Sequence, residues 1–274
     1  MIVNINDLLK DNKVVLQFNI NNLEWTRYIL EECANLDVPV ILGVSEKTVA
    51  YMGGYKLVVD IIKDLINELD IKIPIVIHLD HGTSFGSCKK AIDSGFTSVM
   101  IDGSKYDLEE NIKTTKKVVE YAKNVSVEAE IGQILNNDRS VSYTEIDDAL
   151  LFVEKTNVDL LAPSLGNLHG IYKRKPNLDF SRMKILASHV SLALHGGSGL
   201  SQEDLLKSVE CGVRKINFNT DLQIAWSEGV KNYLRNSNEY DPRKIISAGE
   251  QALKEKIREK LQVVKNVEVN KWNS

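Results

Sequence analysis

The sequence predicts an α/β protein, a (β/α)8 or TIM barrel with an additional C-terminal helix. Short runs rich in Val and Ile alternate with longer amphipathic stretches, and this alternation repeats eight times without a Pro-, Gly- or Ser-rich linker. Strands that are apolar at nearly every position are typical of a parallel sheet covered by helices. Eight regular repeats favour a closed barrel over a doubly wound sheet. We therefore expect one domain over residues 1–274.

The order of the elements follows from the hydrophobic pattern. Strands are predicted near Val14–Phe18, Val38–Gly43, Ile73–His78, Thr97–Ile101, Ser126–Glu130, Val158–Ala162, Val190–Leu194 and Arg214–Asn217. Helices are predicted near Leu23–Asn35, Lys56–Asp70, Ser84–Ser94, Leu108–Lys123, Tyr143–Thr156, Asp179–Ser188, Gln202–Cys211 and Asp221–Asn236. Asp241 as N-cap and Pro242 at the first helical position begin a C-terminal extension over about 241–264. This helix would cover its own barrel or pack on a neighbouring subunit.

The composition is that of an ordinary globular protein and narrows the classes of function. The chain has 34 Lys and Arg against 38 Asp and Glu, a net charge of -4 and 43% hydrophobic residues. Because binding to nucleic acid needs clustered positive charge, we expect no nucleic-acid partner. No apolar run approaches the ~20 residues of a membrane span, and Asp7 and Asp11 interrupt any signal peptide. We therefore expect a cytoplasmic protein whose cysteines, Cys33, Cys88 and Cys211, are buried thiols.

Three of the five histidines precede a glycine at or just past the carboxyl end of a predicted strand: His81, His169 and His195. Because these strand ends converge on one face of a barrel, residues far apart in sequence can share a site there. Three imidazoles with an open position are typical of catalytic zinc. One such histidine would more often be a hydrogen-bonded rim residue, but three on one rim favour metal binding. We interpret His78 as a supporting residue inside strand three and His189 as a structural residue.

Carboxylates are predicted near the same rim. Asp80 adjoins His81, so it is a candidate general acid or base beside the metal, or else a carboxylate that orients a histidine. Glu128 and Glu130 alternate along strand five and therefore face the same side. Glu130, nearer the rim, is the candidate auxiliary metal ligand, whereas Glu128 would support the site from inside the barrel. Asp102, at the end of strand four, fits a similar supporting role.

Strands seven and eight end in segments suited to binding phosphate. Gly196, Gly197 and Ser198 follow strand seven, and Asn219 and Thr220 follow strand eight. Glycines expose backbone N–H groups, and both segments lead into a helix N-terminus that favours an anion. A Gly-Gly-Ser-Gly turn alone is equally typical of a plain loop. At this location, which is the usual phosphate site of such barrels, it indicates phosphate binding.

Seven ordered motifs lie along most of the chain. They are Phe-Asn-Ile-Asn-Asn at 18–22, Gly-Val-Ser at 43–45, His-Leu-Asp-His-Gly at 78–82, Val-Glu-Ala-Glu-Ile-Gly at 127–132, His-Gly-Ile-Tyr-Lys at 169–173, His-Gly-Gly-Ser-Gly at 195–199 and Asn-Phe-Asn-Thr-Asp at 217–221. Together they resemble the class II, metal-dependent fructose-bisphosphate and tagatose-bisphosphate aldolases, and the resemblance runs from about residue 3 to residue 260.

The resemblance implies zinc on His81, His169 and His195, with Glu130 near an alternative metal position. It implies that Asp80 is the acid/base at the cleaved bond, and that a monovalent cation, K+ or Na+, accompanies the ketose phosphate. A homodimer or homotetramer is expected, in which an arginine reaches a neighbouring subunit's substrate. The residues that the resemblance assigns to substrate and phosphate are Asn19, Ser45, Gly170, Lys173, Gly196, Gly197, Ser198, Asn217, Asn219, Thr220 and, for the neighbouring subunit, Arg243.

The segment at 134–141 departs from the family pattern. Family members usually continue after strand five with Gly-Gly and then an acidic pair, whose glutamate moves the dihydroxyacetone-phosphate proton. This chain reads Ile-Leu-Asn-Asn-Asp-Arg-Ser-Val, so asparagines replace the glycines and Arg139 occupies the glutamate position. Asp138 is the nearest carboxylate and the candidate replacement, and Glu145 lies farther on.

The expected function is reversible cleavage of a ketose 1,6-bisphosphate, fructose 1,6-bisphosphate first, to dihydroxyacetone phosphate and glyceraldehyde 3-phosphate. Zinc would stabilise the enediolate that forms when the C3–C4 bond breaks. Fructose and tagatose bisphosphates differ only at C4, so tagatose 1,6-bisphosphate or another ketose phosphate is an alternative substrate. A phosphosugar-binding relative with impaired catalysis, owing to the altered 134–141 loop, is a further alternative.

Overall fold

A computed structural model describes residues 1–10, 13–134 and 142–271, with side chains up to residue 263. Within these ranges the strands are β1 (Val15–Asn19), β2 (Val40–Ser45), β3 (Ile75–Gly82), β4 (Ser98–Asp102), β5 (Ser126–Ile131), β6 (Leu160–Pro163), β7 (Ser191–Leu194) and β8 (Val213–Phe218). The helices are α1 (Ile5–Leu8), α2 (Leu23–Asn35), α3 (Glu46–Met52), α4 (Tyr55–Glu68), α5 (Phe85–Ser94), α6 (Leu108–Ala122), α7 (Ile146–Thr156), α8 (Phe180–Ala187), α9 (Gln202–Glu210), α10 (Thr220–Arg235), α11 (Pro242–Ser247) and α12 (Glu250–Lys271).

The strands form a closed parallel barrel in chain order, with β8 pairing back onto β1. The predicted (β/α)8 fold is therefore confirmed. Every strand residue except a few at the ends is buried, because the helices cover the outer face and side chains fill the interior. Outward-facing Val, Ile, Leu and Phe side chains pack beneath the helices in one large core. The three cysteines are buried, as expected.

The interior of the barrel is apolar at the bottom and polar at the top. Its lower layer contains Ile41, Val76 and Met100, and α1 closes that end with Ile5 and Leu8. Because successive inward positions of a strand are two residues apart, the next inward residues lie toward the carboxyl ends. Those positions carry polar side chains, which places the chemistry at the end of the barrel where active sites are built.

Two short helices are absent from the sequence prediction. α1 and α3 are too short for a helical hydrophobic repeat to stand out, since they contain only 4 and 7 residues. α7 begins at Ile146 rather than at Tyr143, because Tyr143 pairs with Leu165 and Thr144 Oγ1 donates to the Ile131 carbonyl. Tertiary contacts therefore override the local helical pattern at this end of α7.

The C-terminal extension is two helices rather than one, and it covers its own barrel. The break falls at Gly249, where an added Cβ would lie 2.2 Å from the Trp226 ring. The helices are held close there because Trp226 Nε1 donates to the Ile246 carbonyl at 3.1 Å. α12 then buries Leu253 and Ile257 while packing against α2, α9 and α10. Among the described residues, no helix combines the length and apolar character needed to span a bilayer.

Candidate active site

Three imidazoles meet at the carboxyl ends of β3, β6 and β7. The ring centroid of His81 lies 5.1 Å from that of His169 and 4.9 Å from that of His195. One ring nitrogen from each residue lies within 4.8 Å of the other two. The closest pair is His195 Nδ1 and His81 Nε2, which are 3.1 Å apart. The structure therefore brings together all three histidines that the sequence singled out.

A backbone irregularity lets Asp80 and His81 face the same site although they are consecutive. Alternation along a strand would send their side chains to opposite faces of the barrel. The pairing of β3 with β4 shifts register between Leu79 and Gly82, and His81 has a φ of 54°. This left-handed conformation is uncommon for a residue with a side chain. Such strain is typical of functional positions, and here it turns the imidazole inward beside the carboxylate.

The histidine cluster fits a metal ion. Each histidine has one ring nitrogen held by a protein acceptor, which is the usual arrangement of metal-ligating histidines. His169 Nε2 is buried and has no hydrogen-bond partner among the described residues. Tetrahedral zinc with Zn–N bonds of about 2.0–2.1 Å separates ligand nitrogens by about 3.4 Å, close to the shortest pair here. The acceptors are Asp102 Oδ2 for His81 at 2.9 Å, the Ile134 carbonyl for His169 at 3.1 Å and Glu128 Oε1 for His195 at 2.7 Å.

The surroundings shift the pKa values of His169 and His81 in opposite directions. Burial lowers the pKa of His169 to about 3, and the neighbouring imidazoles add to this effect. Burial also opposes a charge on His81, but the carboxylates of Asp80, Asp102 and Glu130 outweigh it and raise the pKa of His81 to about 9. The carboxylates around His81 thus favour a cation at this end of the barrel, whether a proton or a metal.

Glu130 lies beside the histidine cluster, as the sequence predicts. Its Oε1 accepts from the Ile134 amide at 3.4 Å. Its Oε2 is 3.5 Å from His81 Nδ1, and this oxygen has no hydrogen-bond partner among the described residues. Burial raises the pKa of Glu130 to about 8. Glu130, Asp102 and His81 form a second group whose oxygen and nitrogen atoms are close enough to bind one cation.

Asp80 is fixed between two side-chain amides, one from β1 and one from β8. Asn19 Nδ2 donates to its Oδ2 at 2.7 Å, and Asn217 Nδ2 donates to its Oδ1 at 3.4 Å. Burial acts to raise the pKa of Asp80, but the charges of His81, His195 and Lys215 hold it well below its usual range. The carboxylate is therefore ionised and can accept a proton, as a general base must.

The loops after β7 and β8 are tied together at the predicted phosphate segments. Ser198 Oγ accepts from the amides of Asn219 and Asp221 at 3.3 and 3.2 Å. Gly196 has a φ of 66°, and a Cβ there would lie 1.8 Å from the Leu168 carbonyl oxygen. Only glycine fits this position. The loop after β7 can consequently lie directly against the loop after β6.

The remaining candidate substrate residues occupy the same rim. Ser45 ends β2 opposite Asp80 in register, and its Oγ caps α3 by accepting from the Thr48 amide at 3.1 Å. Gly197 donates its N–H to the Asn217 carbonyl at 3.0 Å. The others lie on neighbouring loops or at a helix start, namely Gly170 and Lys173 after β6 and Thr220 at the first position of α10.

Two predicted residues stand apart from this cluster. Arg243 lies on α11, is 89% exposed along its side chain and pairs at 2.8 Å with Asp241, the N-cap residue of that helix. It makes no contact with the site of its own chain among the described residues. Asp138, the candidate proton carrier, lies outside the described residues together with the rest of 135–141.

Lys215 and Tyr172 belong to the site but are absent from the sequence prediction. Lys215 Nζ forms a fully buried ion pair with Glu128 Oε2 at 2.7 Å, inside the barrel beneath His195. The sequence does hold a sign of Lys215, because side chains along β8 alternate between the inside and the outside of the barrel and Lys215 shares the inward face with Asn217. The Tyr172 hydroxyl donates to the Gly196 carbonyl at 3.0 Å and accepts from the Leu168 amide at 2.8 Å. Nothing in the local pattern predicts that bridge.

The fold and the histidine cluster together define the class of protein, which is a (β/α)8-barrel enzyme with a site suited to a metal ion. The family of class-II fructose-bisphosphate aldolases matches residues 4–268. The fructose-bisphosphate aldolase of Geobacillus stearothermophilus is 46% identical over 260 residues, 91% of each chain. That of Staphylococcus aureus strain Mu50 is 46% identical over 274 residues, 95% of this chain and 96% of the relative.

A solved structure agrees with this assignment. The YdjI aldolase from Escherichia coli K12 superposes with a TM-score of 0.84 at 29% identity, covering 96% of this chain and 97% of the other. The chain therefore belongs to the class-II fructose-bisphosphate aldolase family, and is an aldolase, a carbon–carbon lyase.

Proposed function

We propose that the enzyme reversibly cleaves fructose 1,6-bisphosphate to dihydroxyacetone phosphate and glyceraldehyde 3-phosphate. The observation that carries the proposal is the convergence of His81, His169 and His195 beside an ionised Asp80. Support also comes from the two relatives at 46% identity, which are both named fructose-bisphosphate aldolase.

Zinc is the metal that we propose for the histidine cluster. His81, His169 and His195 would hold it, and Glu130 would offer an alternative ligand. When bound, zinc supplies a Lewis acid for the negative charge that develops on the substrate oxygens. A monovalent cation, K+ or Na+, would accompany the phosphate. Asn219 Oδ1 supports that part of the proposal, because it is a buried oxygen without a hydrogen-bond partner among the described residues.

Asp80 is the residue that moves the proton at the cleaved bond. In cleavage, one Asp80 carboxylate oxygen accepts the proton of the substrate's C4 hydroxyl. The C3–C4 bond then breaks, the C4 oxygen becomes the aldehyde oxygen, and the electron pair of the bond stays with the dihydroxyacetone-phosphate half. In condensation, Asp80 returns the proton to the C4 oxygen. Asn19 and Asn217 hold the carboxylate in place. Asp138 is proposed to protonate C3 of the remaining half.

The phosphate groups would bind on both sides of this centre. We propose that the loops after β6, β7 and β8 bind the ketose phosphate through Gly170, Lys173, Gly196, Gly197, Ser198, Asn219 and Thr220. Ser45 and the start of α3 would face the second phosphate, and Arg243 would reach it from a neighbouring subunit of a homodimer or homotetramer. The exposure of Arg243 supports this arrangement. We place the enzyme in the cytoplasm.

A panel of ketose phosphates tests the proposed substrate. The zinc-loaded enzyme is assayed with fructose 1,6-bisphosphate, tagatose 1,6-bisphosphate and fructose 1-phosphate, with aldehyde and ketose products measured separately. We expect the highest kcat/KM for fructose 1,6-bisphosphate. A preference for another ketose would overturn the substrate, and binding of dihydroxyacetone phosphate without turnover would overturn the aldolase activity. His169→Ala, purified identically, reports contaminating host aldolase, and His189→Ala is the matched control because His189 is exposed.

A further inference from the structure

A lysine of the C-terminal helix reaches the loops assigned to phosphate. Lys260 lies on α12, yet its side chain is only 8% exposed, and its Nζ is 2.6 Å from Asp221 Oδ2. The ammonium group also lies 5.4 Å from the centre of the Phe218 ring. Lysine is almost never buried to this degree unless it is paired. Glu259 Oε1 of the same helix lies farther from this ammonium group, at 3.4 Å. The closest partner of Lys260 is therefore Asp221, in the first turn of α10.

Asp221 joins the two loops that would hold the ketose phosphate. Its Oδ2 accepts from the Gly199 amide at 3.3 Å, and its own amide donates to Ser198 Oγ at 3.2 Å. A carboxylate at this place fixes the geometry of both loops. It also sets a negative charge close to a bound phosphate, which opposes binding unless the charge is neutralised.

The attachment of α12 to the barrel does not depend on Lys260. Arg258 pairs with Glu32, and Lys254 Nζ pairs with Glu31 Oε2 at 2.7 Å, so two ion pairs fasten α12 to α2. Apolar residues of α12, Leu253 among them, are buried in the main core. Those contacts are made with α2 and the core, whereas the Lys260 contact is made with Asp221, which binds the loop after β7.

We infer that Lys260 is a positioning residue for the phosphate site. It neutralises Asp221 and holds that carboxylate on the Gly199 amide, so that the C-terminal extension becomes part of the substrate-binding machinery. The inference rests on the proposed function, because it takes the loops after β7 and β8 to bind the substrate's phosphate. Lys260 does not touch the reacting atoms, so its loss should appear in substrate affinity rather than in the chemical step.

The test compares Lys260→Met with Lys256→Met, a partly exposed lysine one turn earlier on the same helix. Binding of dihydroxyacetone phosphate to the zinc-loaded enzyme is measured by calorimetry, together with KM, kcat, zinc content and thermal stability. We expect Lys260→Met to weaken binding and raise KM on the order of tenfold through one uncompensated charge. Zinc content and kcat should change little, and Lys256→Met should match the wild type.

Two further variants keep the inference falsifiable if Lys260→Met lowers stability. Asp221→Asn introduced into Lys260→Met removes the unbalanced charge and should recover most of the affinity, while Lys260→Arg should retain it. Unchanged affinity in Lys260→Met would overturn the inference. A loss of kcat, zinc and stability together, without recovery in the double variant, would also overturn it and assign Lys260 a purely structural role. Failure of the wild-type enzyme to bind dihydroxyacetone phosphate would instead contradict the proposed function.

Discussion

Inside the barrel, the buried carboxylates of Glu128 and Asp80 are each matched by partners from other strands. Glu128 on β5 lies between Lys215 of β8 and His195, and Asp80 lies between two asparagine amides. Burial acts to raise the pKa of Glu128, but Lys215 and His195 lower it below its usual range. Both carboxylates are therefore ionised, although one supports a candidate metal ligand and the other faces the proposed substrate.

Asp80→Asn should separate proton transfer from metal binding. The amide is nearly isosteric and its oxygen can still accept from one of the two asparagine amides, but it cannot accept the C4 proton. We expect kcat for fructose 1,6-bisphosphate to fall by about 10²–10⁴-fold, the range typical of a lost general base, with zinc content unchanged. Steady-state kinetics and elemental analysis measure the two quantities. An equal loss of zinc would mean that Asp80 instead supports a histidine.

Glu128→Gln should weaken both zinc binding and folding. It removes the carboxylate that orients His195, so we expect zinc affinity to fall by about 10–100-fold, as for other such supporting groups. It also leaves the buried Lys215 unpaired, which costs about 3–5 kcal/mol in the free energy of unfolding. Competition with a chelator measures the affinity, and urea denaturation of the metal-free protein measures the stability.

The double variant Glu128→Gln/Lys215→Met distinguishes these two effects. Removing both charges should restore much of the stability, because no unpaired charge remains buried. Zinc affinity should stay low, since the acceptor for His195 is still changed. Unchanged affinity in Glu128→Gln would show that His195 needs no carboxylate to orient it.

Among the secondary-structure elements, the carboxyl end of β3 and the C-terminal helix α12 position side chains at the rim of the barrel. β3 places the adjacent residues Asp80 and His81 in the same site because its pairing with β4 shifts register at its carboxyl end. α12 covers the barrel beside α10, the helix that begins at the proposed phosphate site. Its packing therefore supports the site as well as the fold.

Ile257→Ala tests the contribution of α12 to stability. Ile257 is fully buried, so its truncation should lower the free energy of unfolding by about 2–5 kcal/mol. Gln251→Ala, an exposed position on the same helix, is the control and should change it by less than about 0.5 kcal/mol. Urea denaturation gives both values. Equal stability of the two variants would show that α12 is not part of the cooperative unit.

Across the whole molecule, the sequence predicts the barrel because eight strands repeat a clear pattern, and it predicts the histidine cluster because parallel strand ends converge. It does not predict the left-handed backbone of His81 or the Tyr172 bridge, since both result from tertiary contacts. The break at Gly249 is missed for a similar reason, because it depends on the approach of Trp226 from another helix. Lys215 is missed although alternation along β8 marks it, because its partner Glu128 is 87 positions away in the sequence.

Metal removal and replacement tests whether the three-histidine site of the (β/α)8 barrel binds the metal that aldol cleavage needs. The enzyme is stripped with a chelator, dialysed, and assayed with fructose 1,6-bisphosphate before and after addition of zinc. We expect cleavage to be lost on stripping and to return with about one zinc per chain, because the three histidines would hold the Lewis acid of the reaction. Undiminished cleavage by the metal-free protein would contradict a metal-dependent mechanism.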